Sequence, residues 1–440
     1  MHPTLSDSDA TELETSHGQR RRLRPPRPGI VSIYAEGIEP LGATPLLEPA
    51  VLGRTGGGAP IQVDDQKVSR QHVMLAPRLE GFEICDLESR NGTFYAGTPL
   101  SGTRTLPFGS IVHIGRQLIL LTDDVDVHAR RHLPSTARLR GGPALEIVRQ
   151  QIRRLAPSSI PILVVGESGT GKELVAGAIH EASARSGPIV RVNAAAIPAE
   201  LVESELFGHV KGAFSGADGI REGLFRQADR GTLVLDEVGE LPPGLQAKLL
   251  RVLEDGRVRP VGSDASFAVD VRVVASTNRD LEQAVRHGSF RLDLLHRLQG
   301  AVLEVPPLSA RRDDIPLLAE GFAEEEAVIV STWAADALTR GTWPGNVRQL
   351  RNVVRRAAAA AKAEGRSRIL ESDLSVPQTG AGLRGDGLSS SPTESEQVRL
   401  TTALELCQGN VSRVSRELGI ARSQLYVLLQ RYNIDPAAFR

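Results

Sequence analysis

The chain has 440 residues, 40% of them hydrophobic, and a formal net charge of −1. That length accommodates two or three domains, and the near-zero charge excludes binding of nucleic acid or membrane by bulk charge, leaving such contacts to local patches. The two cysteines, Cys85 and Cys407, stand far apart without metal-ligand spacing, which excludes a disulfide framework and fits reduced thiols.

Residues 1–29 are acidic at first and then arginine-rich, a composition expected of a solvated, disordered tail. Residues 30–125 carry short β-type runs such as Ile30–Tyr34, Gly81–Cys85 and Ser110–Ile114, separated by Gly, Pro and Asn, which predicts a β-sandwich. A polar linker is expected over 126–141. From 142 to 376, helical patterns alternate with the buried-strand runs Ile162–Val165, Thr232–Leu235 and Val271–Ala275, the signature of an α/β domain with a parallel sheet. A Gly/Ser-rich linker over 377–393 leads to an all-helical segment, 394–440, with breaks at Gly409-Asn410 and Gly419. No apolar run approaches the roughly 20 residues of a bilayer span, and the N-terminus lacks a signal-peptide core, so a cytoplasmic protein with no membrane partner is expected.

Gly166-Glu167-Ser168-Gly169-Thr170-Gly171-Lys172 follows a strand and opens a helix. Successive N–H groups of such a loop cradle phosphate oxygens, and the lysine reaches the terminal phosphates, so ATP is the expected ligand. Glu173 stands where general P-loops carry the Mg²⁺-ligating Ser/Thr. Asp236-Glu237 ends a buried strand; one carboxylate there can hold Mg²⁺, directly or through water, and its neighbour can polarise the attacking water. Between these motifs lies Lys211-Gly212-Ala213-Phe214-Ser215-Gly216-Ala217, one aromatic among small residues. Composition alone leaves two readings, a turn with its ring folded into the core or an exposed touch point.

The run Glu205-Leu206-Phe207-Gly208-His209-Val210-Lys211 followed by Gly-Ala-Phe-Ser-Gly-Ala resembles the signature loop of sigma-54-dependent transcription activators, the bacterial enhancer-binding proteins. The resemblance implies that Gly212, Ala213, Phe214, Ser215, Gly216 and Ala217 contact sigma-54 and that ATP hydrolysis remodels the closed polymerase–promoter complex. Ser215 replaces the family's Thr. The family carries Glu at the position of Glu173. By the same resemblance residues 142–376 form an AAA+ ATPase with a helical lid, in which Asn193 restrains the catalytic glutamate, Thr277-Asn278 form sensor I, and Arg348, in the lid motif Trp343–Leu350, is sensor II. Arg291 and Arg297 match arginines inserted into a neighbouring subunit's site, which implies a ring, in this family a hexamer; without the match they read as surface arginines on a helix.

At the C-terminus, Ala403–Cys407, Val411–Leu418 and Ala421–Tyr432 form three amphipathic patterns, with Gly419-Ile420 where a helix-turn-helix needs its sharp connection. The segment resembles a Fis-type domain, which implies enhancer-DNA contacts from Arg422, Ser423, Gln424 and Tyr426; a three-helix dimerisation module is the competing reading. At the N-terminus, Gly53-Arg54, Val68–His72, Asp86–Thr93 and Gly109-Ser110 resemble a forkhead-associated (FHA) domain. The resemblance implies a phosphothreonine ligand from a Ser/Thr kinase substrate or the kinase itself, contacted by Arg54, Ser69, Arg70, Arg90 and Asn91, with charge-assisted bonds enclosing the dianion. The function so implied is a phosphothreonine-responsive, sigma-54-dependent activator. The alternatives are a DNA-binding scaffold using ATP only to oligomerise, or a remodeller of some other protein.

Overall fold

The computed structural model describes residues 25–128, 139–215 and 217–376, together with positions 411, 429 and 434. The chain divides into two compact units, residues 1–379 and 380–440.

The N-terminal part of the first unit is a two-sheet β-sandwich. One sheet has six strands in the order Thr44–Pro45, Gly29–Ala35, Gln117–Thr122, Ile111–Ile114, Thr93–Tyr95, Thr98–Pro99. The other has five, ordered Ile61–Val63, Ala50–Arg54, Val73–Arg78, Gly81–Asp86, Thr103–Pro107. Ile30, Leu52, Leu75, Phe82, Ile119 and Leu121 fill the space between the sheets.

Two strands of the six-stranded sheet are buried on both faces. Alternation along Gln117–Thr122 sends Ile119 and Leu121 into the sandwich and Leu118 and Leu120 outward. Opposite them, a bulge between Ser32 and Tyr34 interrupts the period of two, so that Val31, Ile33 and Tyr34 all serve the outer face. Against that face pack Ile315, Leu318, Ala334, Leu338 and Leu350, from three helices, Ile315–Glu325, Thr332–Arg340 and Asn346–Ala363. Sandwich and helical lid therefore share one apolar core.

Polar contacts fix the register of this junction. The Tyr34 hydroxyl donates to the Val330 carbonyl, and buried Glu36 accepts from the Thr332 N–H and hydroxyl, both at 2.8 Å, while also pairing with Arg368. Burial, reinforced by Glu320 and Glu36, pushes the Tyr34 phenol well above its usual pKa, so it remains a donor.

The central α/β domain is a five-stranded parallel sheet ordered Ile189–Asn193, Thr232–Asp236, Arg272–Thr277, Ile162–Val165, Ala301–Glu304. Its strands are near-continuous apolar runs because both faces are covered, by separate clusters around Leu233 and Leu249 and around Val164 and Ile179. Fully buried Arg272 donates to the carbonyls of Leu155 and Ala156 at the end of the helix Pro143–Leu155, satisfying carbonyls that a helix terminus leaves free. Residues 139–141, within the expected linker, are fastened to this domain: Arg149 donates to the carbonyls of Leu139 and Gly141 at 2.9 and 3.0 Å.

In the second unit Leu429 is buried and its carbonyl accepts from the Ile434 N–H at 2.9 Å. Arg422, Ser423, Gln424 and Tyr426 lie outside the described residues, as does Gly216. Among the described residues no helix is long and apolar enough to cross a membrane.

Candidate nucleotide and ligand sites

The loop Gly166–Gly171 leaves the strand Ile162–Val165 and enters the helix Lys172–Ala182 at the carboxyl edge of the sheet. That edge is where ligands of open α/β sheets bind. Gly169 has φ 78°, and a Cβ there would lie 2.4 Å from the Gly345 carbonyl oxygen, so only glycine permits the lid backbone to come this close. The Thr170 hydroxyl donates to the Glu167 carbonyl at 2.9 Å, holding the loop closed on itself.

Lys172 is buried; its ammonium donates to the carbonyls of Gly166 (2.9 Å) and Glu167 (3.3 Å) and lies 3.8 Å from Glu237 Oε1. Asp236 accepts a hydrogen bond from Ser276, and Glu237 accepts from the Asn278 N–H at 3.2 Å. Glu237 has φ 53°, a left-handed conformation costly for a non-glycine residue and characteristic of over-determined functional sites. Lys172, Asp236 and Glu237 line one cavity of about 560 Å³, together with Ser168 to Glu173, Arg311, and Val347 and Arg348 from the lid.

The other residues marked in the sequence take varied positions. Asn193 is level with Asp236 in the paired strands, but its side chain accepts from the Ala195 N–H at 2.9 Å; the bond to Glu237 comes from Asn278. Thr277 is fully buried and accepts from the Arg279 N–H at 3.0 Å. Arg348 donates from its backbone to Gly169 and from its guanidinium to Ser168 Oγ, both at 3.3 Å. Arg291 is engaged by Asp293 through two hydrogen bonds of 3.0 and 2.7 Å, and Arg297 donates twice to the Leu253 carbonyl.

Three residues here carried no marking in the sequence. Ser276 precedes Thr277 and binds Asp236. Arg311, from the segment joining core and lid, donates to the Thr170 carbonyl at 3.0 Å. Asn346 stands within Trp343–Leu350, two positions before Arg348, and binds the P-loop. Their signal is spatial, since Arg311 and Asn346 lie well over a hundred residues from the loop they touch.

The loop after His209 closes on itself. Gly212 N–H donates to the Ala217 carbonyl at 2.9 Å, and Ala217 N–H to the Phe214 carbonyl at 3.0 Å. Gly212 has φ 79° with open space around it, whereas Ala217 is buried. Phe214 is 39% exposed, its ring edge-on to His209 at 5.1 Å, so the aromatic is neither swallowed by the core nor wholly free. Ala213 packs beside Gly262.

In the sandwich, Arg54 at the end of its strand donates its N–H to the Ser69 carbonyl at 2.9 Å, and the loops carrying Ser69, Arg70, Arg90 and Asn91 meet beside it at one rim. Ser69 Oγ accepts from the Arg90 N–H at 3.0 Å, and Asn91 Nδ2 donates to the Lys67 carbonyl at 2.7 Å. His72, fully buried, accepts from the Ser69 N–H at 3.0 Å and lies 3.3 Å from the Gly92 carbonyl. Burial lowers the His72 pKa and keeps the ring neutral, able to accept and donate at once. Asp86 collects Ser89 N–H, Ser89 Oγ and Thr93 Oγ1 at 2.6–2.8 Å. Among the described residues, no carboxylate pairs with Arg54, Arg70 or Arg90, so the rim offers unneutralised cationic donors to an anion.

Comparison with known proteins matches residues 140–304 to the sigma-54 interaction domain, 309–378 to an AAA+ ATPase lid domain, 50–115 to the FHA domain and 391–432 to the Fis family of bacterial regulatory proteins. The chain is 41% identical over 318 residues to the regulatory protein AtoC of Escherichia coli (strain K12), covering 68% of each. It is 43% identical over 337 residues to the DNA-binding transcriptional regulator NtrC of Salmonella typhimurium, covering 69% of this chain and 71% of that one. The crystal structure of NtrX from Brucella abortus in complex with ADP is similar with a TM-score of 0.51 at 36% identity, over 69% of this chain and 71% of that one. The same protein in complex with ATP gives 0.50 at 35% identity, over 66% and 68%. With a P-loop, a strand-end Asp-Glu pair beside it and a lid closing on the P-loop, the chain is an ATPase, and it belongs to the sigma-54-dependent transcriptional activators.

Proposed function

We propose that this activator couples phosphothreonine recognition to ATP-driven remodelling of the sigma-54 holoenzyme closed complex in the cytoplasm. In this reading the P-loop and Lys172 bind the β- and γ-phosphates, Glu237 polarises the attacking water, and Arg348 meets the terminal phosphate from the lid. Arg291 and Arg297 complete a neighbouring subunit's site in a ring, a hexamer as in the family, after release from Asp293 and the Leu253 carbonyl. Asn193 and Thr277-Asn278 tune the site. The sequence positions Arg422, Ser423, Gln424 and Tyr426 contact enhancer DNA.

The residues present suit Mg²⁺ that arrives with ATP. Among the described residues no group of three or more His, Cys, Asp or Glu gathers to make a protein cage, and Asp236 and Glu237 line the cavity at the phosphate loop. Mg²⁺ characteristically takes one or two carboxylates plus phosphates and water, and it would neutralise charge on the transferring phosphoryl group.

The observation that supports the regulatory half most strongly is the core shared by sandwich and lid. A phosphopeptide held by Arg54, Ser69, Arg70, Arg90 and Asn91 pulls on the loop that continues into the strand Thr93–Tyr95, and that strand lies on the lid residue Trp333. The lid in turn carries Arg348. The decisive experiment measures ATPase rate and open-complex formation with sigma-54 holoenzyme, with and without a phosphothreonine peptide, in wild type and Phe214→Ala. Hydrolysis retained without open complexes in Phe214→Ala is expected; full promoter opening by that variant would refute the assignment of the loop. Equal response to phosphorylated and unphosphorylated peptide would refute the assignment of the FHA rim.

A further inference from the structure

Asn346 opens the lid helix Asn346–Ala363 with φ 49°, in the left-handed region, and is fully buried. Asparagine tolerates that backbone far better than a branched side chain does. Its Nδ2 donates to Glu167 Oε2 at 2.9 Å and to the Ser168 carbonyl at 3.1 Å, while Oδ1 accepts from the Leu308 N–H at 2.7 Å. Both amide protons are thus spent on the P-loop, and the oxygen is spent on the segment joining core and lid. Alanine could replace none of these bonds, and aspartate could not replace the two donations.

The P-loop end of this contact is built to move. Lys172 donates to the Gly166 and Glu167 carbonyls. An arriving triphosphate competes for that ammonium, which frees both carbonyls and lets the Glu167 backbone readjust. The Glu167 carboxylate moves with its backbone, and Asn346 holds that carboxylate. Arg311 adds a second tether from the same connecting segment, donating to the Thr170 carbonyl at 3.0 Å.

We propose that Asn346 is a positioning residue for ATP turnover, latching the lid to Glu167 so that lid position follows the conformation of the P-loop. The latch acts through Glu167 and does not depend on the role assigned to Arg348.

The test is a double-mutant cycle in the full chain, reading the affinity for a fluorescent ATP analogue and the split between kcat and KM. Asn346→Asp keeps the acceptor for Leu308 but sets a carboxylate against Glu167, and it should weaken nucleotide binding and lower kcat by about tenfold each, the cost of roughly one to two buried hydrogen bonds. Glu167→Gln alone should lose less, because its remaining oxygen still accepts. The double variant Asn346→Asp/Glu167→Gln restores the pair at Glu167 with reversed polarity but leaves the Ser168 carbonyl without its donor, so it should recover to about threefold better than the product of the two single losses. A double variant no better than the product of the two single losses overturns the proposal. So does recovery of thermal stability without recovery of kcat, the result expected of a purely structural asparagine. Repeating the affinity cycle on an Arg348→Ala background separates the two readings: coupling that persists supports the latch whatever Arg348 does, and coupling that vanishes overturns it as an independent element.

Discussion

The Phe94 ring meets the Trp333 indole edge to face, with centroids 4.7 Å apart and planes at 73°. Phe94 follows the rim loop of the sandwich by two residues, and Trp333 stands on a lid helix. The same indole meets the His113 ring at 4.3 Å and 72°. One side chain therefore gathers two rings from the sandwich.

Trp333→Ala removes both ring contacts and should cost about 1–3 kcal/mol before lost burial is counted, given roughly 0.5–1.5 kcal/mol per aromatic pair. The variant should keep its basal ATPase while losing the response to phosphothreonine peptide. Denaturant titration checks the first claim and peptide-stimulated hydrolysis the second; an unchanged peptide response would remove Trp333 from the route.

Acid should act on this junction through two groups of opposite sign. Burial lowers His113 from 6.5 to about 4, and its ring donates to the Gly115 carbonyl at 3.0 Å. A lowered folded pKa gives stability that is full above pH 6.5 and drains as pH falls to about 4. Burial raises Asp336 from 3.8 to about 6, opposed by Arg340. A raised folded pKa gives stability that is full below pH 3.8 and is lost as pH rises through about 6. Each shift corresponds to on the order of 3 kcal/mol, so the two nearly offset one another between pH 4 and 6. His113→Gln should therefore become more stable as pH drops through that window, and Asp336→Asn less stable. Urea midpoints at pH 4.5, 5.5 and 6.5 distinguish these slopes from a flat profile.

Glu237→Gln should retain ATP binding and lose hydrolysis by about 10²–10⁴-fold, the range for removing a positioned general base. Lys172→Ala should lose binding itself, since its ammonium is a buried cation held 2.9 Å from the Gly166 carbonyl of the phosphate loop. Isothermal titration and steady-state turnover separate the two. A Glu237→Gln chain with normal turnover would move the water-activating role elsewhere.

Arg291→Ala should slow hydrolysis by on the order of 10³-fold while leaving ATP affinity intact, as expected of a cation that meets only the transition state. If it acts across subunits, mixing Arg291→Ala with Lys172→Ala chains should restore part of the rate, because some interfaces combine an intact site with an intact arginine. Failure of every mixing ratio to restore activity would argue for action within one chain.

Ser215→Thr tests the missing methyl in the projecting loop. The added branch stiffens χ1 and should raise promoter opening per ATP hydrolysed without altering the ATPase rate. Equal opening per ATP in both chains would make the methyl irrelevant.

Whatever the chain states within a few consecutive residues was legible in its sequence. The P-loop needs seven residues, the strand-end carboxylates two, the projecting loop seven, and each motif carries its own backbone requirement. The strand runs were legible for the same reason: Ile162–Val165 is a strand with the expected limits. Tertiary structure decided what distant segments do to one another. The run Gln117–Thr122 is apolar on both faces, yet nothing local says that the outer face meets the lid. Asn193 stands level with Asp236 but spends its side chain on Ala195, because the short helical turn that follows offers a nearer donor. Asn346 and Arg311 reach the P-loop only because the lid folds back over the sheet edge. Hydrogen bonding and close packing act over a few ångströms in space, whatever the separation along the chain, so sequence alone specified the parts of the motor and folding specified which part holds which.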